Sequence, residues 1–366
     1  MSIPLHFELK PTSQPLPADE RRLILADPGF GRYFTDHMIT IRWSSGRGWH
    51  DAQLVPYAPL ELAPGTMVFH YGQAIFEGLK AYRRADGTAG LFRPEVNARR
   101  FNTSADRLAL PRLPEEVFLE SIRLLVSQDG DWIPDQEEHS LYLRPFLLAT
   151  ELGLGVRPAA EAVYLLIASP VAAYFANGVQ PVSVWLSEDY TRAAPGGTGE
   201  AKCAGNYAAS LAGQAQAMEH GCDQVVWLDA VEHRWVEEMG GMNLFFVEGS
   251  GDDVTLRTPA LTGTLLPGVT RDSLLTLGRD LGYRVVEDQI STDEWREGNA
   301  SGAISEVFAC GTAAVITPVG WVKSPTAEWT VGDGTPGPVT MRLRQALLDI
   351  QYGAAPDPHG WTTVVE

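Results

Sequence analysis

The chain has 366 residues, enough to bury a sizeable core and to form about two domains. It is 45% hydrophobic and 20% charged, with 10 Trp and 11 Tyr, a globular and enzyme-like composition rather than a disordered one. A formal net charge of −18 argues against nucleic acid, whose phosphates need a basic surface, and against anionic membranes.

Residues 1–20 are polar and carry several prolines, the pattern of a loosely held arm. "MSIPLHFELK" lacks a basic region followed by an apolar stretch, so no signal peptide is expected. "HMITIRW" (37–43) alternates apolar and polar residues as a half-buried strand does. In "LKAYRRADGTAGLFRP" (79–94), Asp86-Gly87 separates two β-prone runs and predicts a hairpin. Helices follow near 95–109 and 114–127, the second with Val117, Ile122 and Leu125 on one face. "SLYLRPFLLAT" (140–150) and "EAVYLLIASPV" (161–171) read as strands. Strands and helices bunched in this way predict an α+β first domain. The longest apolar run, 162–176, is too short to span a bilayer and is interrupted by Pro170.

A Gly/Pro-containing stretch from Asn177 marks a domain boundary, giving an arm 1–20, a small domain 21–176 and a large domain 177–366. In the second half, "PVSVWL" (181–186), "DQVVWLD" (223–229), "MNLFFVE" (242–248), "VTLRTP" (254–259) and "AISEVFACGTAAVITPV" (303–319) read as strands. Helices fit 206–220, 269–282 and 339–351, with Leu274, Leu277 and Leu281 on one face of the middle one. Cys203, Cys222 and Cys310 form no C-x-x-C, which fits a reducing compartment and supplies no zinc framework; no metal is expected. A soluble, cytoplasmic protein is the expectation.

"GEAKCAGNYAAS" (199–210) sets one long cation, Lys202, among glycine and alanine. Of 28 basic residues only Lys10, Lys80, Lys202 and Lys323 are lysine. Arginine supplies plain positive charge elsewhere, so a retained lysine points toward amine chemistry, which arginine cannot perform. Four readings stand: a P-loop lysine, a Schiff-base aldolase lysine, an anchor for pyridoxal 5'-phosphate (PLP), or a satisfied structural cation. The P-loop reading fails because Ala201 and Cys203 occupy the positions where Gly and Ser/Thr are required.

A PLP site needs a buried carboxylate for the ring nitrogen and a helix N-terminus with small residues and hydroxyls for the phosphate. "VEEMGGMNLFF" (236–246) offers Glu237 and Glu238 before Gly240-Gly241. "LLPGVTRDSLL" (265–275) opens a helix with amides at Val269 and Thr270, and "FACGTAAV" (308–315) ends a strand in Gly311-Thr312. Tyr207 follows the lysine by five residues. Each also has an ordinary reading as a surface turn, a loop-to-helix junction, a tight bend or a core aromatic; their coincidence with Lys202 carries the weight.

"HYGQAIFEGLKAYR" (70–83), "FRPEVNARRF" (92–101), "SLYLRPFL" (140–147), "AKCAGNY" (201–207), "EEMGGMN" (237–243), "LTGTLLPGVTR" (261–271) and "LLDIQYG" (347–353) occur in order. With "GFGRYFTDHM" (29–38), they make the chain resemble the branched-chain amino acid aminotransferases from about Phe30 to the C-terminus. The resemblance implies an α+β, two-domain fold type IV PLP enzyme. Its smaller N-terminal domain would be α+β, its larger C-terminal domain a β-barrel-like α/β unit, with the cofactor at the domain interface. It implies reversible, ping-pong transamination of L-leucine, L-isoleucine and L-valine with 2-oxoglutarate by a homodimer.

The same resemblance makes Lys202 the catalytic, cofactor-bearing lysine and places Glu238 at the pyridine nitrogen and Tyr207 at the ring oxygen. Arg100, Val269, Thr270 and Thr312 would hold the phosphate. Phe30, Phe76 and Tyr174 would wall the alkyl side chain, and Tyr71, Tyr142 and Arg144 would receive the γ-carboxylate of glutamate. Leu154 and Val156 would enter from the partner subunit, and Thr312, Ala313 and Ala314 would meet the α-carboxylate. Two features, at three positions, depart from the pattern. Gly241 stands where some relatives carry threonine, and Ala314 and Thr317 stand where animal members carry a redox C-x-x-C, so no such thiol switch is expected. A D-amino acid aminotransferase or an aminodeoxychorismate lyase of the same fold is the nearest alternative; a cofactor-free protein of that fold is a further one. "YLRPFL", "HYGQAIFEGLKAYR" and the length favour the branched-chain reading.

Overall fold

The computed structural model describes residues 5–175, 178–251 and 253–365. The chain divides into two compact units, Met1–Ala173 with Ala201–Ala204 and Asp349–Glu366, and Tyr174–Glu200 with Gly205–Leu348. Two stretches that the linear reading gives to the large domain thus belong to the first unit: the lysine segment and the C-terminus. The cause at the C-terminus is a strand, Thr362–Val365, that pairs antiparallel with Ala89–Phe92.

The first unit contains β1 (Glu8–Leu9), α1 (Ala18–Ala26), β2 (His37–Ser44), β3 (Gly48–Pro56), α2 (Val68–Tyr71), β4 (Ala74–Phe76), β5 (Leu79–Arg83) and β6 (Ala89–Phe92). It continues with α3 (Pro94–Arg107), α4 (Glu115–Gln128), β7 (Ser140–Ala149) and β8 (Glu161–Val171). Among the described residues its sheet runs β1-β3-β2-β8-β7-β5-β6 and then the C-terminal strand, with β4 also paired to β7. The β5–β6 hairpin forms as its Asp-Gly signal predicts: Asp86 Oδ1 accepts from Thr88 N and Oγ1, and Gly87 takes φ +83°.

β7 obeys a strict two-residue period. Leu141, Leu143, Leu147 and Ala149 are buried in one cluster with Phe101 of α3 and Phe118, Ile122 and Leu125 of α4. Tyr142, Arg144 and Phe146 are half-buried on the opposite face. The helix face predicted on α4 therefore holds at Ile122 and Leu125, with Phe118 in place of the flanking Val117.

The N-terminal stretch is pinned rather than loose. Phe7 is buried, Glu8 and Leu9 pair in parallel with Gln53 and Leu54, and Thr12 N and Leu16 N each donate at 2.9 Å, to His37 Nε2 and Asp36 Oδ1. An extended segment with prolines builds no backbone ladder of its own; Gln14 N turns back to Thr12 Oγ1, and the amides of Lys10, Thr12 and Leu16 find acceptors on and beside β2 and β3.

From 182 onward the chain forms β9 (Val182–Ser187), α5 (Ala204–Glu219), β10 (Gln224–Leu228), β11 (Val236–Met239), β12 (Met242–Ser250) and β13 (Asp253–Thr258). Then come α6 (Val269–Asp280), β14 (Arg284–Glu287), α7 (Thr292–Ser301), β15 (Ile304–Gly311), β16 (Val315–Lys323), β17 (Glu328–Thr330) and α8 (Pro338–Gln351). The sheet order is β11-β10-β9-β16-β15-β12, and β12 pairs back to β11, which closes six strands into a barrel. β13 and β14 continue the sheet from β12, and β17 pairs with β16. Val184, Leu186, Val226, Leu228, Leu244 and Phe246 share one buried cluster, and closure removes the strand edges that an open sheet would expose.

Two turns position the site. Gly240-Gly241 is a two-residue hairpin loop between β11 and β12, with Gly240 at φ +57°, and it sets Glu238 directly opposite Asn243. The run read as 303–319 is two antiparallel strands, β15 and β16, joined by a turn at Thr312, Ala313 and Ala314.

α7 begins with a complete capping box: Ser291 Oγ accepts from Glu294 N at 3.1 Å, and Glu294 Oε2 accepts from Ser291 N at 2.8 Å. Ser291→Ala is expected to lower stability by about 0.5–2 kcal/mol, measured as a lower denaturation midpoint at unchanged slope.

Candidate active site

Lys202 lies in the short link before α5. Ala201 and Cys203 on either side are buried in the first unit's core, so the extended link turns the lysine side chain away from that core. Lys202 N donates to Ser104 Oγ at 2.9 Å, Lys202 O accepts from Phe76 N at 3.0 Å, and Nζ lies 4.9 Å from the Phe76 ring centroid. Packing demands a small residue at Gly199 but not at Gly205, where an added Cβ would meet nothing within 4 Å. A Cβ on Gly199 would come within 2.2 Å of the Thr264 carbonyl oxygen.

Phe76 is followed by Glu77, which is fully buried. Its carboxylate takes Arg100 Nε on Oε1 and Arg100 Nη2 on Oε2, both at 2.8 Å, and Asn97 Nδ2 on Oε2 at 2.8 Å. Burial alone would raise the Glu77 carboxyl. The Arg100 charge and hydrogen bonds, with Lys202 and Asn97, outweigh burial and hold it below the usual carboxylate range. The predicted phosphate residue Arg100 is thus itself held by a forked ion pair. Glu77→Ala leaves that guanidinium buried without its carboxylate and is expected to destabilise by about 3–5 kcal/mol. A carboxyl depressed by folding stabilises above its unfolded value, near 4.3, and the contribution fades as pH falls through the folded value. Urea unfolding over a pH series therefore shows the gap between wild type and variant at neutral pH and its narrowing in acid. A gap independent of pH would contradict an ionised pair.

On the half-buried face of β7, Arg144 Nη2 donates to Tyr142 Oη at 3.2 Å, and the guanidinium carbon stands 4.9 Å from the Phe76 ring and 5.3 Å from the Tyr142 ring. Arg144 Nε is buried and has no hydrogen-bond partner, and no carboxylate among the described residues forms an ion pair with this arginine. Gly78 is what lets Tyr142 in: a Cβ there would fall 2.0 Å from Tyr142 Oη. Phe30, about half exposed, meets the Tyr142 ring edge-on at 5.3 Å. Phe30, Tyr142 and Arg144 line one cavity of about 220 Å³. A second group of predicted residues is tied together on the surface, where Tyr71 Oη donates to Leu154 O while Leu154 (73%) and Val156 (83%) are exposed.

The second unit holds the other predicted residues. Glu238, 1% exposed, accepts from Leu266 N at 2.7 Å and Asn243 Nδ2 at 3.2 Å on Oε1, and Arg192 Nε lies 3.0 Å from Oε2. Asn243 Nδ2 also donates to Leu266 O at 3.0 Å, so Glu238 and Asn243 together fix the loop that leads into α6. The neighbouring Glu237 points elsewhere. It accepts from Thr264 Oγ1, and burial pushes its carboxyl up despite that bond. α6 starts at Gly268, which gives no side-chain cap, so the first-turn amides of the buried Val269 and Thr270 have no intrahelical acceptor. Only glycine fits at 268, where a Cβ would lie 2.1 Å from Asn243 Oδ1. Tyr207 sits in the first turn of α5; a Cβ on Gly241 would meet its ring at an ordinary 3.4 Å. Thr312 and Ala313 are half-buried and Ala314 is buried on the β15–β16 turn. Tyr174 is about half exposed, packs edge-on against Phe175, and has a phenol raised by burial and by Asp223.

Sequence reasoning missed Glu77, Gly78, Asn97, Arg192 and Asn243. Glu77 and Gly78 stand inside a quoted stretch, and Asn243 is a polar residue opening an apolar strand, so each left a trace. Arg192, which touches Glu238, Gly199 O and Thr264 O, left none.

The amino-transferase class IV family matches residues 74–321. A probable branched-chain-amino-acid aminotransferase of Streptomyces coelicolor is 61% identical over 97% of each chain, and a branched-chain-amino-acid aminotransferase of Mycolicibacterium smegmatis is 60% identical over 98% of each. Among solved structures, the Escherichia coli branched-chain amino acid aminotransferase is similar at TM-score 0.73 and 29% identity, over 89% of this chain and 99% of that one. The T.th. branched-chain amino acid aminotransferase complexed with N-(5'-phosphopyridoxyl)-L-glutamate is similar at TM-score 0.73 and 30% identity, over 89% and 98%. The chain therefore belongs to the class IV aminotransferases, and within them to the branched-chain-amino-acid aminotransferases.

Proposed function

We propose that the chain transfers the amino group of L-leucine, L-isoleucine or L-valine to 2-oxoglutarate, yielding branched 2-oxo acids and L-glutamate, reversibly and as a homodimer in the cytoplasm. The observation that carries the substrate reading is Arg144. This arginine lacks a carboxylate partner among the described residues, stands 4.9 Å from the Phe76 ring and 5.3 Å from the Tyr142 ring, and borders a mostly apolar cavity whose other polar side chains are Tyr142 and Ser169, which suits both an alkyl side chain and a distal carboxylate.

The residues present fit PLP. The uncapped start of α6 presents amides and a positive dipole end to an anion, and Arg100 supplies a guanidinium already oriented by Glu77. Glu238 is a buried carboxylate with Arg192 beside it, the kind of group a protonated ring nitrogen requires. When bound, PLP supplies an electrophilic carbonyl carbon and a ring that withdraws electrons from substrate Cα. Lys202 Nζ would hold the cofactor, and its free amine would take the proton from substrate Cα and deliver it to the carbon that was the cofactor's carbonyl. Glu238 would keep a proton on the ring nitrogen, and Tyr207 would meet the ring oxygen. By the family resemblance, Arg100, Val269, Thr270 and Thr312 would hold the phosphate. By the same resemblance, Phe30, Phe76 and Tyr174 would exclude water around the alkyl group, Tyr71, Tyr142 and Arg144 would receive the γ-carboxylate, and Thr312, Ala313 and Ala314 would meet the α-carboxylate. Leu154 and Val156, apolar and exposed in a single chain, close the pocket of a partner subunit.

Protein loaded with PLP should be yellow, and borohydride should fix the cofactor on the peptide containing Lys202. L-leucine with 2-oxoglutarate should turn over and D-alanine should not. Turnover of D-alanine alone would replace this reading with the D-amino acid alternative.

A further inference from the structure

β7 and β8 are antiparallel neighbours, and their register sets Tyr142 opposite Ser169 and Arg144 opposite Ile167. Directly opposed residues share a face, with Cβ atoms roughly 4.5–5.5 Å apart. All four line the cavity of about 220 Å³ that Phe30 and Phe34 also border. One rung of its floor thus pairs a guanidinium with a branched alkyl group, and the next pairs a phenol with a hydroxyl. Ser169 is 5% exposed, and among the described residues its Oγ donates only to the adjacent Pro170 O, at 3.3 Å. That is longer than the usual O–H···O distance of about 2.7–2.8 Å, so the hydroxyl can turn toward an acceptor in the cavity with little loss.

We propose that Ser169 and Ile167 are specificity-determining residues of the transamination. Ser169 joins Tyr142 and Arg144 in donating to the distal carboxylate of the acidic substrate. Ile167 packs against the alkyl group of the branched substrate and limits how large it can be. The inference rests on reading this cavity as the substrate pocket.

The test measures the two half-reactions separately on PLP-loaded protein, one with L-leucine and one with L-glutamate, and adds L-phenylalanine as a larger probe. Ser169→Ala is expected to lower kcat/KM for L-glutamate about tenfold and to leave L-leucine within about twofold, and Ser169→Thr, which keeps the hydroxyl, to restore glutamate. Ile167→Ala is expected to lower kcat/KM for L-leucine about tenfold, raise it for L-phenylalanine and leave L-glutamate nearly unchanged. Ile167→Val, the gentler change, should shift the leucine-to-phenylalanine ratio in the same direction by about fourfold. Equal losses for both substrates in Ser169→Ala, no loss in either, or an unchanged leucine-to-phenylalanine ratio in both Ile167 variants would overturn the assignment. Wild-type protein that turns over neither L-leucine nor L-glutamate would instead overturn the functional reading itself, and the specificity assignment with it.

Discussion

Lys202→Arg is expected to lower kcat/KM for L-leucine by at least about 10³-fold while leaving the fold intact. The substitution separates charge from chemistry. Arginine keeps a cation of similar length, and a cation above the Phe76 ring is as well served by guanidinium as by ammonium. The segment is anchored through its backbone and its neighbours: Ser104 and Phe76 bind the Lys202 backbone, and Ala201 and Cys203 fill the core, while the Lys202 charge, which arginine keeps, acts on Glu77. A structural cation would therefore be replaced almost without effect. A nucleophile would not, because arginine stays protonated throughout the accessible pH range. Lys80 is the control, being the more deeply buried lysine, at 5% exposure, and standing opposite Tyr142 in the sheet. In Lys80→Arg the borohydride label should stay on the peptide containing Lys202; in Lys202→Arg it should vanish. Single-turnover kinetics with L-leucine, mass spectrometry of reduced protein and circular dichroism of each variant decide the matter. A Lys202→Arg enzyme within tenfold of wild type would return the residue to a structural role.

Long periodic elements were legible from sequence because one local pattern dictates them. The alternation in β7, the Asp86-Gly87 hairpin and the stripe on α4 depend on neighbours a few residues away. What stayed hidden depends on distant partners. β11 has four residues and becomes a barrel strand only because Gly240-Gly241 folds β12 back on it. The C-terminal strand has four residues and exists only against β6. α1 buries none of its residues, so it has no apolar stripe to read. α7 was legible and passed over: Ser291 followed by Glu294 spells its capping box. The site divides in the same way. Lys202 and Glu238 sit in motifs with their companions close in sequence. The groups that hold site residues in place, such as Glu77 for Arg100 and Arg192 for Glu238, act across 23 and 46 positions of the chain and need the fold.

Arg144→Met should split the reaction into its halves. Methionine keeps the length and the apolar stem that lies along the Phe76 and Tyr142 rings, so the pocket stays filled. What it removes is a charge with no carboxylate partner among the described residues and a fork whose Nε is buried and unbonded. A group left unsatisfied in the free protein is one that a ligand can satisfy; a charge-assisted bond to a carboxylate contributes roughly 1.5–3 kcal/mol, or about 10–150-fold. The half-reaction with L-glutamate should therefore fall by about that factor, chiefly through KM, while the half-reaction with L-leucine stays within about threefold. Arg144→Lys should lie between, since lysine restores the charge without the two-pronged geometry. Stopped-flow measurement of each half-reaction separates the outcomes. Equal loss in both halves would make Arg144 a scaffold for the cavity. Retention of both would mean that the distal carboxylate is bound by other residues, and the dual use of one pocket would need a different explanation.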